Sequence, residues 1–138
     1  MRKLSLIILT AAALLLLVAG PAYGQRVIVK GEIPFDFSVG NKTLPADTYM
    51  VKKASAPSDV LFVRGNGNGA LSIAQPMEDV RNGEPNGRLV FRKYGDEYFL
   101  AEVWSGVNNT GFELPKSSKE RQVSLNRPEP ELIYIAAK

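Results

Sequence analysis

Three groups of residues in this sequence have the types that catalysis or ligand binding at neutral pH requires. Glu102 lies in the run Tyr98-Phe99-Leu100-Ala101-Glu102-Val103-Trp104, and a carboxyl held among apolar rings has its pKa raised toward the range of a general acid. Glycoside hydrolysis also needs a second carboxylate at a set separation, and no spacing in the sequence identifies one. Lys116-Ser117-Ser118-Lys119 holds both members of a Ser-Lys acyl-transfer pair, although a solvated helix start explains the same residues better. Gly65-Asn66-Gly67-Asn68-Gly69 has the glycine density of a phosphate loop or a Ca²⁺ repeat. It lacks the Lys-Ser/Thr ending of the first and the Asp residues of the second, so it reads as a flexible hairpin tip.

The chain has no His and no Cys. That removes Ser-His-Asp and Cys-His nucleophiles together with the usual zinc and copper ligand sets. The expectation is a protein with no catalytic residues, no metal site and no cofactor.

The aromatic strand is the more informative feature. Strict alternation puts Tyr98, Leu100, Glu102 and Trp104 on one face and Phe99, Ala101 and Val103 on the other. With that face in water, Tyr98 and Trp104 stand about 20 Å apart with Glu102 between them. Rings beside a hydrogen-bonding carboxylate suit a sugar or a peptide, which makes Tyr98, Glu102 and Trp104 the candidate binding residues. Because both faces of the strand are apolar, the favoured arrangement instead buries Trp104 between two layers.

These residues must be positioned by strands. Ile33, Phe35, Phe37 and Val39 alternate with Pro34, Asp36 and Ser38, a half-buried pattern in which Pro34 marks an edge or a bulge. Further runs cover Val27 to Lys30, Tyr49 to Lys53, Val60 to Arg64, Ala70 to Ala74, Arg88 to Tyr94, Glu97 to Trp104 and Leu132 to Ala136, giving seven or eight strands. Leu44-Pro45-Ala46-Asp47 has turn chemistry, and four Asn-Gly pairs (Asn66-Gly67, Asn68-Gly69, Asn82-Gly83, Asn86-Gly87) mark hairpins. Tyr94-Gly95-Asp96-Glu97 joins the two most apolar strands. Ser117 with Glu120 forms a capping-box pattern that predicts a short helix over Ser118 to Leu125, and Pro128 and Pro130 then enforce an extended connector. The basic pairs Lys52-Lys53 and Arg92-Lys93 are expected to discourage edge-to-edge pairing. The whole predicts an all-β antiparallel sandwich or small barrel in a single domain over residues 25–138. Most runs are shorter than the roughly 9 to 11 residues of a membrane-barrel strand.

Met1-Arg2-Lys3, the uncharged apolar run to Ala19 and Ala22-Tyr23-Gly24 form the three parts of a secretory signal over residues 1–24. Gly20-Pro21 breaks the helix before the cleavage site, and no membrane span is expected afterwards. Lys and Arg total 17 against 14 Asp and Glu, and two of those cations lie in the leader. Nucleic acid is therefore not an expected partner.

The blocks Ile33-Pro34-Phe35-Asp36-Phe37, Leu44-Pro45-Ala46-Asp47-Thr48-Tyr49, Leu89-Val90-Phe91, Tyr94-Gly95-Asp96, Tyr98 to Trp104 and Glu113-Leu114-Pro115-Lys116-Ser117 resemble a group of small exported all-β proteins of acidobacterial type. The resemblance covers most of residues 25–138 and implies an exported bacterial protein with no assigned activity and no catalytic residues to carry over. Asp47 stands where that pattern usually has Gly.

The sequence thus points to a secreted or periplasmic, non-catalytic module that meets a protein or polysaccharide at the bacterial envelope, by an exposed sheet edge or by the Tyr98/Trp104 face. A carbohydrate-binding module using those rings is the alternative, and a carboxylate-based glycosidase is the third reading. Mass spectrometry of the exported chain should find Gln25 as its first residue; a chain that keeps residues 1–24 would overturn the signal assignment.

Overall fold

Along Val27–Ile33 and Val60–Arg64 alternate residues are buried, and two sheets face each other through the side chains that point inward. The computed structural model describes residues 27–54, 59–78, 86–106 and 110–138. The expected signal segment, residues 1–24, and the Asn82-Gly83 pair lie outside the described residues. Eleven strands and one helix follow in order: β1 (Val27–Ile33), β2 (Phe37–Val39), β3 (Lys42–Leu44), β4 (Asp47–Lys53), β5 (Val60–Arg64), β6 (Gly69–Ile73), β7 (Gln75–Glu78), β8 (Gly87–Tyr94), β9 (Glu97–Trp104), β10 (Thr110–Glu113), α1 (Ser118–Ser124) and β11 (Glu131–Ala137).

The first sheet is antiparallel with the order β1-β4-β5-β6. The second runs β11-β8-β9-β10-β7, and β2 joins it through a parallel bridge from Ser38 to Phe99 while pairing antiparallel with β3. Val29, Ile33, Tyr49, Val51, Leu61 and Val63 from the first sheet meet Phe37, Leu44, Leu89, Phe91, Leu100 and Val103 from the second in one core. Along one seam the Lys30 N–H donates to the Lys138 carbonyl (2.7 Å) and the Lys138 N–H to the Lys30 carbonyl (2.8 Å), which ties β1 to the end of β11.

The expected sandwich is present, but with eleven strands among the described residues instead of seven or eight. The additional strands β3, β7 and β10 are three or four residues long, too short for a period of two to be recognised. The alternation from Ile33 to Val39 is also divided. Pro34 has no N–H to donate, and pairing stops there; Ile33 ends β1 in one sheet and Phe37 opens β2 in the other. Both remain only 1% exposed, because the two sheets share an interior. The Asp36 carboxylate accepts the Ala46 N–H (2.9 Å) and steadies this crossing.

The turns follow glycine more closely than asparagine. The loops Gly40-Asn41 and Gly95-Asp96 have positive φ at the glycine alone, +61° and +62°, the pattern of a two-residue type II′ turn. Asn66-Gly67 lies in a four-residue loop closed by Gly65 N–H to Asn68 carbonyl (2.8 Å), with positive φ at Gly67 only. Gly69 and Gly87 are strand residues, so those two Asn-Gly pairs mark strand starts, not turn centres.

The predicted helix is present as α1, with Leu125 as its C-cap. Ser117 Oγ accepts the Glu120 N–H at 3.1 Å, as a capping box requires. The Glu120 side chain does not return to the cap. It turns onto β8, where it accepts Arg92 Nε at 2.6 Å, Arg92 Nη2 at 3.0 Å and the Tyr94 hydroxyl at 2.9 Å. Arg92 Nη2 also reaches the Leu114 carbonyl at 3.3 Å. At 1% exposure this carboxylate is the anchor that a two-turn helix needs.

Removing one partner leaves the other charge buried and uncompensated. Glu120→Ala should lower unfolding free energy by about 3 kcal/mol or more in urea titrations, and Ser117→Ala by about 1 kcal/mol. An unchanged midpoint in Glu120→Ala would show that the helix docks without the ion pair.

Candidate functional site

The aromatic strand β9 does not keep strict alternation. Val90 pairs with Glu102 and Phe91 with Leu100, so Ala101 is an extra residue opposite the β8 partner. A bulge of this kind exchanges the faces of everything beyond it. Leu100 and Val103 therefore both enter the core, and Tyr98 packs against its margin. Phe99, Glu102 and Trp104 take the outer face of the second sheet, opposite Arg92, Val90 and Arg88. The expected face shared by Tyr98, Leu100, Glu102 and Trp104 does not exist: Tyr98 is on one side of the sheet, and Glu102 with Trp104 is on the other.

Trp104 is buried, at 8% exposure, yet it does not fill the space between the sheets as expected. Its indole Nε1 donates to Glu102 Oε2 at 2.8 Å, and the Arg88 guanidinium lies 4.7 Å from the ring centroid. The backbone of β10 passes directly against the six-membered ring, since a Cβ at Gly111 would collide with Trp104 Cε3. Glycine is what permits that approach. Tyr98 is covered as well: it stacks on Phe35 at 3.8 Å and 16°, and Lys93 Nζ is 5.4 Å from its centroid. Neither ring presents the bare face that stacking on a sugar would use.

The Ser-Lys run is likewise dispersed. Ser117 Oγ caps α1, and Ser118 Oγ donates to Asn41 Oδ1 at 3.2 Å. Lys119 instead reaches back to the β2–β3 hairpin, donating to Thr43 Oγ1 at 2.7 Å and to Ser38 Oγ at 3.2 Å. These groups border a cleft of about 130 Å³ that Asp36, Asp96, Glu97 and Tyr98 also line. Ser38 is 4% exposed, so the contact works as a tether from helix to hairpin. Its partners lie 81 residues apart, beyond the reach of any local motif.

A different feature stands out at the edge of the first sheet. Lys52-Lys53 and Arg92-Lys93, expected to guard edges, lie in β4 and β8, which have a neighbour on each side. β6 is the end strand of its sheet, and its sequence Gly69-Ala70-Leu71-Ser72-Ile73 carries neither charge nor proline. The phase of its ladder is fixed at both ends. Gly65 N–H to Asn68 carbonyl and Ala74 N–H to Asp59 carbonyl lie in the same register as the β5–β6 pairs. Hydrogen-bonded pairs alternate with non-bonded ones, so Ala70 and Ser72 bond to β5, and the backbones of Gly69, Leu71 and Ile73 face outward from the sheet. Lys42 Nζ meets the Gly69 carbonyl at 2.6 Å, as this phase demands. Leu71 and Ile73 are 63% and 67% exposed, and a groove lined by Val39, Lys42, Phe62, Gly69 and Leu71 runs beside the start of the strand. The sequence marks Ala70 to Ala74 as a strand, but only sheet order makes it an edge.

Comparison with known proteins finds no match: no family model fits the sequence, and no curated protein or solved structure is similar to it.

Two tyrosines in these networks have perturbed hydroxyls. Burial, then the hydrogen bond to Glu120, pushes Tyr94 up to about 12 from 10.0. Burial, then the nearby Asp47 and Asp36, raises Tyr49. Above pH 10 the unfolded chain loses the Tyr94 proton while the native chain keeps it, so the unfolded state binds fewer protons and stability falls as pH rises. Thermal melts should show Tm dropping between pH 10 and about 12, with a shallower fall in Tyr94→Phe than in the unchanged chain. Parallel curves would mean that Tyr94 carries no part of the alkaline loss.

Proposed function

We propose that this chain is an exported, non-catalytic β-sandwich module that binds a polypeptide partner at the bacterial envelope by taking an additional strand onto β6. The observation that carries this reading is the outward-facing backbone of Leu71 and Ile73 on an uncharged end strand. Strand addition draws affinity from main-chain hydrogen bonds and selectivity from alternate side chains. Exposed edges are ordinarily blunted by charge, proline or a covering element. Among the described residues, the end strand β7 of the second sheet follows that rule: it carries Pro76 and Glu78. On β6 the cation Lys42 protects only the Gly69 end.

The leader-like residues 1–24 support placement in the periplasm or outside the cell, where such a module would meet its partner. The absence of His and Cys, together with the use of Glu102 and Ser38 in hydrogen bonds to Trp104 and Lys119, supports a binding role over a catalytic one. The covered rings of Tyr98 and Trp104 favour a polypeptide over a polysaccharide.

A photoreactive side chain at Ile73 should capture a protease-sensitive partner in the source cells at several times the yield of the same group at Glu78 on β7. Equal yields at the two positions, or none at Ile73, would overturn the edge as the binding surface.

A further inference from the structure

The strand-addition reading leaves the incoming strand unspecified, and β6 itself has the features of its own best partner. We infer that β6 pairs antiparallel with β6 of a second copy about a two-fold axis through Leu71; this rests on the strand-addition reading above. An isologous contact requires one patch to be complementary to itself. The residues whose backbones face outward are Gly69, Leu71 and Ile73, spaced evenly about Leu71. Centring the axis on Leu71 therefore matches every outward-facing residue with another: Leu71 meets its counterpart, and each Gly69 meets Ile73 of the second copy. Registers centred on Ala70 or Ser72 also oppose outward-facing backbones, but they leave Ile73 or Gly69, respectively, without a counterpart in β6.

Side chains agree with that register. Gly69 has no side chain, and the Phe62 ring leans over it, close enough that a Cβ there would lie 3.1 Å from Phe62 Cε2. Ile73 of the second copy, directly opposite Gly69, would pack on this ring. Both strands are free of charge, so no like charges oppose one another across the axis. Arg64 pairs with Gly69 and hence lies away from the dyad, at opposite ends of the joint in the two copies. Lys42 must leave the Gly69 carbonyl, which costs little for an exposed lysine. A five-residue strand buries much less than the roughly 1,000 Å² of a stable interface. The dimer is accordingly weak and reversible, with a dissociation constant of about micromolar or above.

Sedimentation velocity of the purified exported chain should show the average mass rising from monomer toward dimer with concentration. Leu71 is 63% exposed, so Leu71→Lys retains the fold, which circular dichroism verifies, and it should remain monomeric throughout because the two lysines meet on the axis. The sequence contains no Cys, so Leu71→Cys supplies one thiol per chain. A short thiol cross-linker should then yield covalent dimer, whereas Glu78→Cys should not. A dimer that persists in Leu71→Lys, or cross-links equally at Glu78→Cys, overturns the inference by placing the contact elsewhere. If the unchanged chain is monomeric at every concentration while Ile73 captures a different polypeptide, self-pairing is overturned and strand addition survives. If neither dimer nor adduct forms, both are overturned.

Discussion

The buried carboxylate of Glu120 is the constraint on which the second sheet depends. The outer face of the second sheet carries Val90 of β8 with Phe99 and Trp104 of β9, all buried, so the sheet must be kept from water outside as well as within the sandwich. A helix of seven residues has too little intrinsic stability to cover it unaided. The charge-assisted bonds from Arg92 and the hydroxyl of Tyr94 tie the helix start to β8. Lys119, on the next face of the same helix, extends the hold to the β2–β3 hairpin. One short element thereby fixes a sheet face and a hairpin, and each contact is effective because the others exclude solvent around it.

The bulge at Ala101 has an equally wide effect. By changing the phase of β9 it sends Val103 inward after Leu100 and turns Glu102 and Trp104 outward. Trp104 then finds shelter under Arg88 and against the bare backbone at Gly111, and Glu102 satisfies its indole N–H. The polar and aromatic residues that suggest a ligand platform are thus consumed in covering the sheet. Bonding capacity is left on the end strand β6, where outward-facing backbone groups and the exposed Leu71 and Ile73 side chains face solvent together.

Much of the architecture was legible from local patterns. The alternation of side chains in β1 and β5, the Gly95-Asp96 turn and the Ser117–Glu120 cap each depend on residues within one or two turns or a few strand positions, and each is present. The short strands β3, β7 and β10 were not legible, because three or four residues do not define a period, and β2 was read only as the end of a longer strand from Ile33. Of the described Asn-Gly pairs, Asn66-Gly67 lies in a hairpin loop, while Asn68-Gly69 and Asn86-Gly87 open strands; among the described residues only glycine takes positive φ. Of the candidate residues, Tyr98, Glu102 and Trp104 were correctly seen as a strand, while their common face was an artefact of assuming an unbroken pleat. Ser38, Arg92 and Tyr94 carried no local signal, their partners lying 81, 28 and 26 residues away.

What the amino-acid order determined by itself was the alternating pattern that makes strands, the glycines that permit tight reversals and the absence of imidazole and thiol chemistry. Those properties belong to single residues and near neighbours. Which strand became an edge, which carboxylate was buried against an arginine and which rings were covered depended on the closing of two sheets upon each other. They arise from contacts between distant segments, and no local sequence pattern encodes how such segments meet.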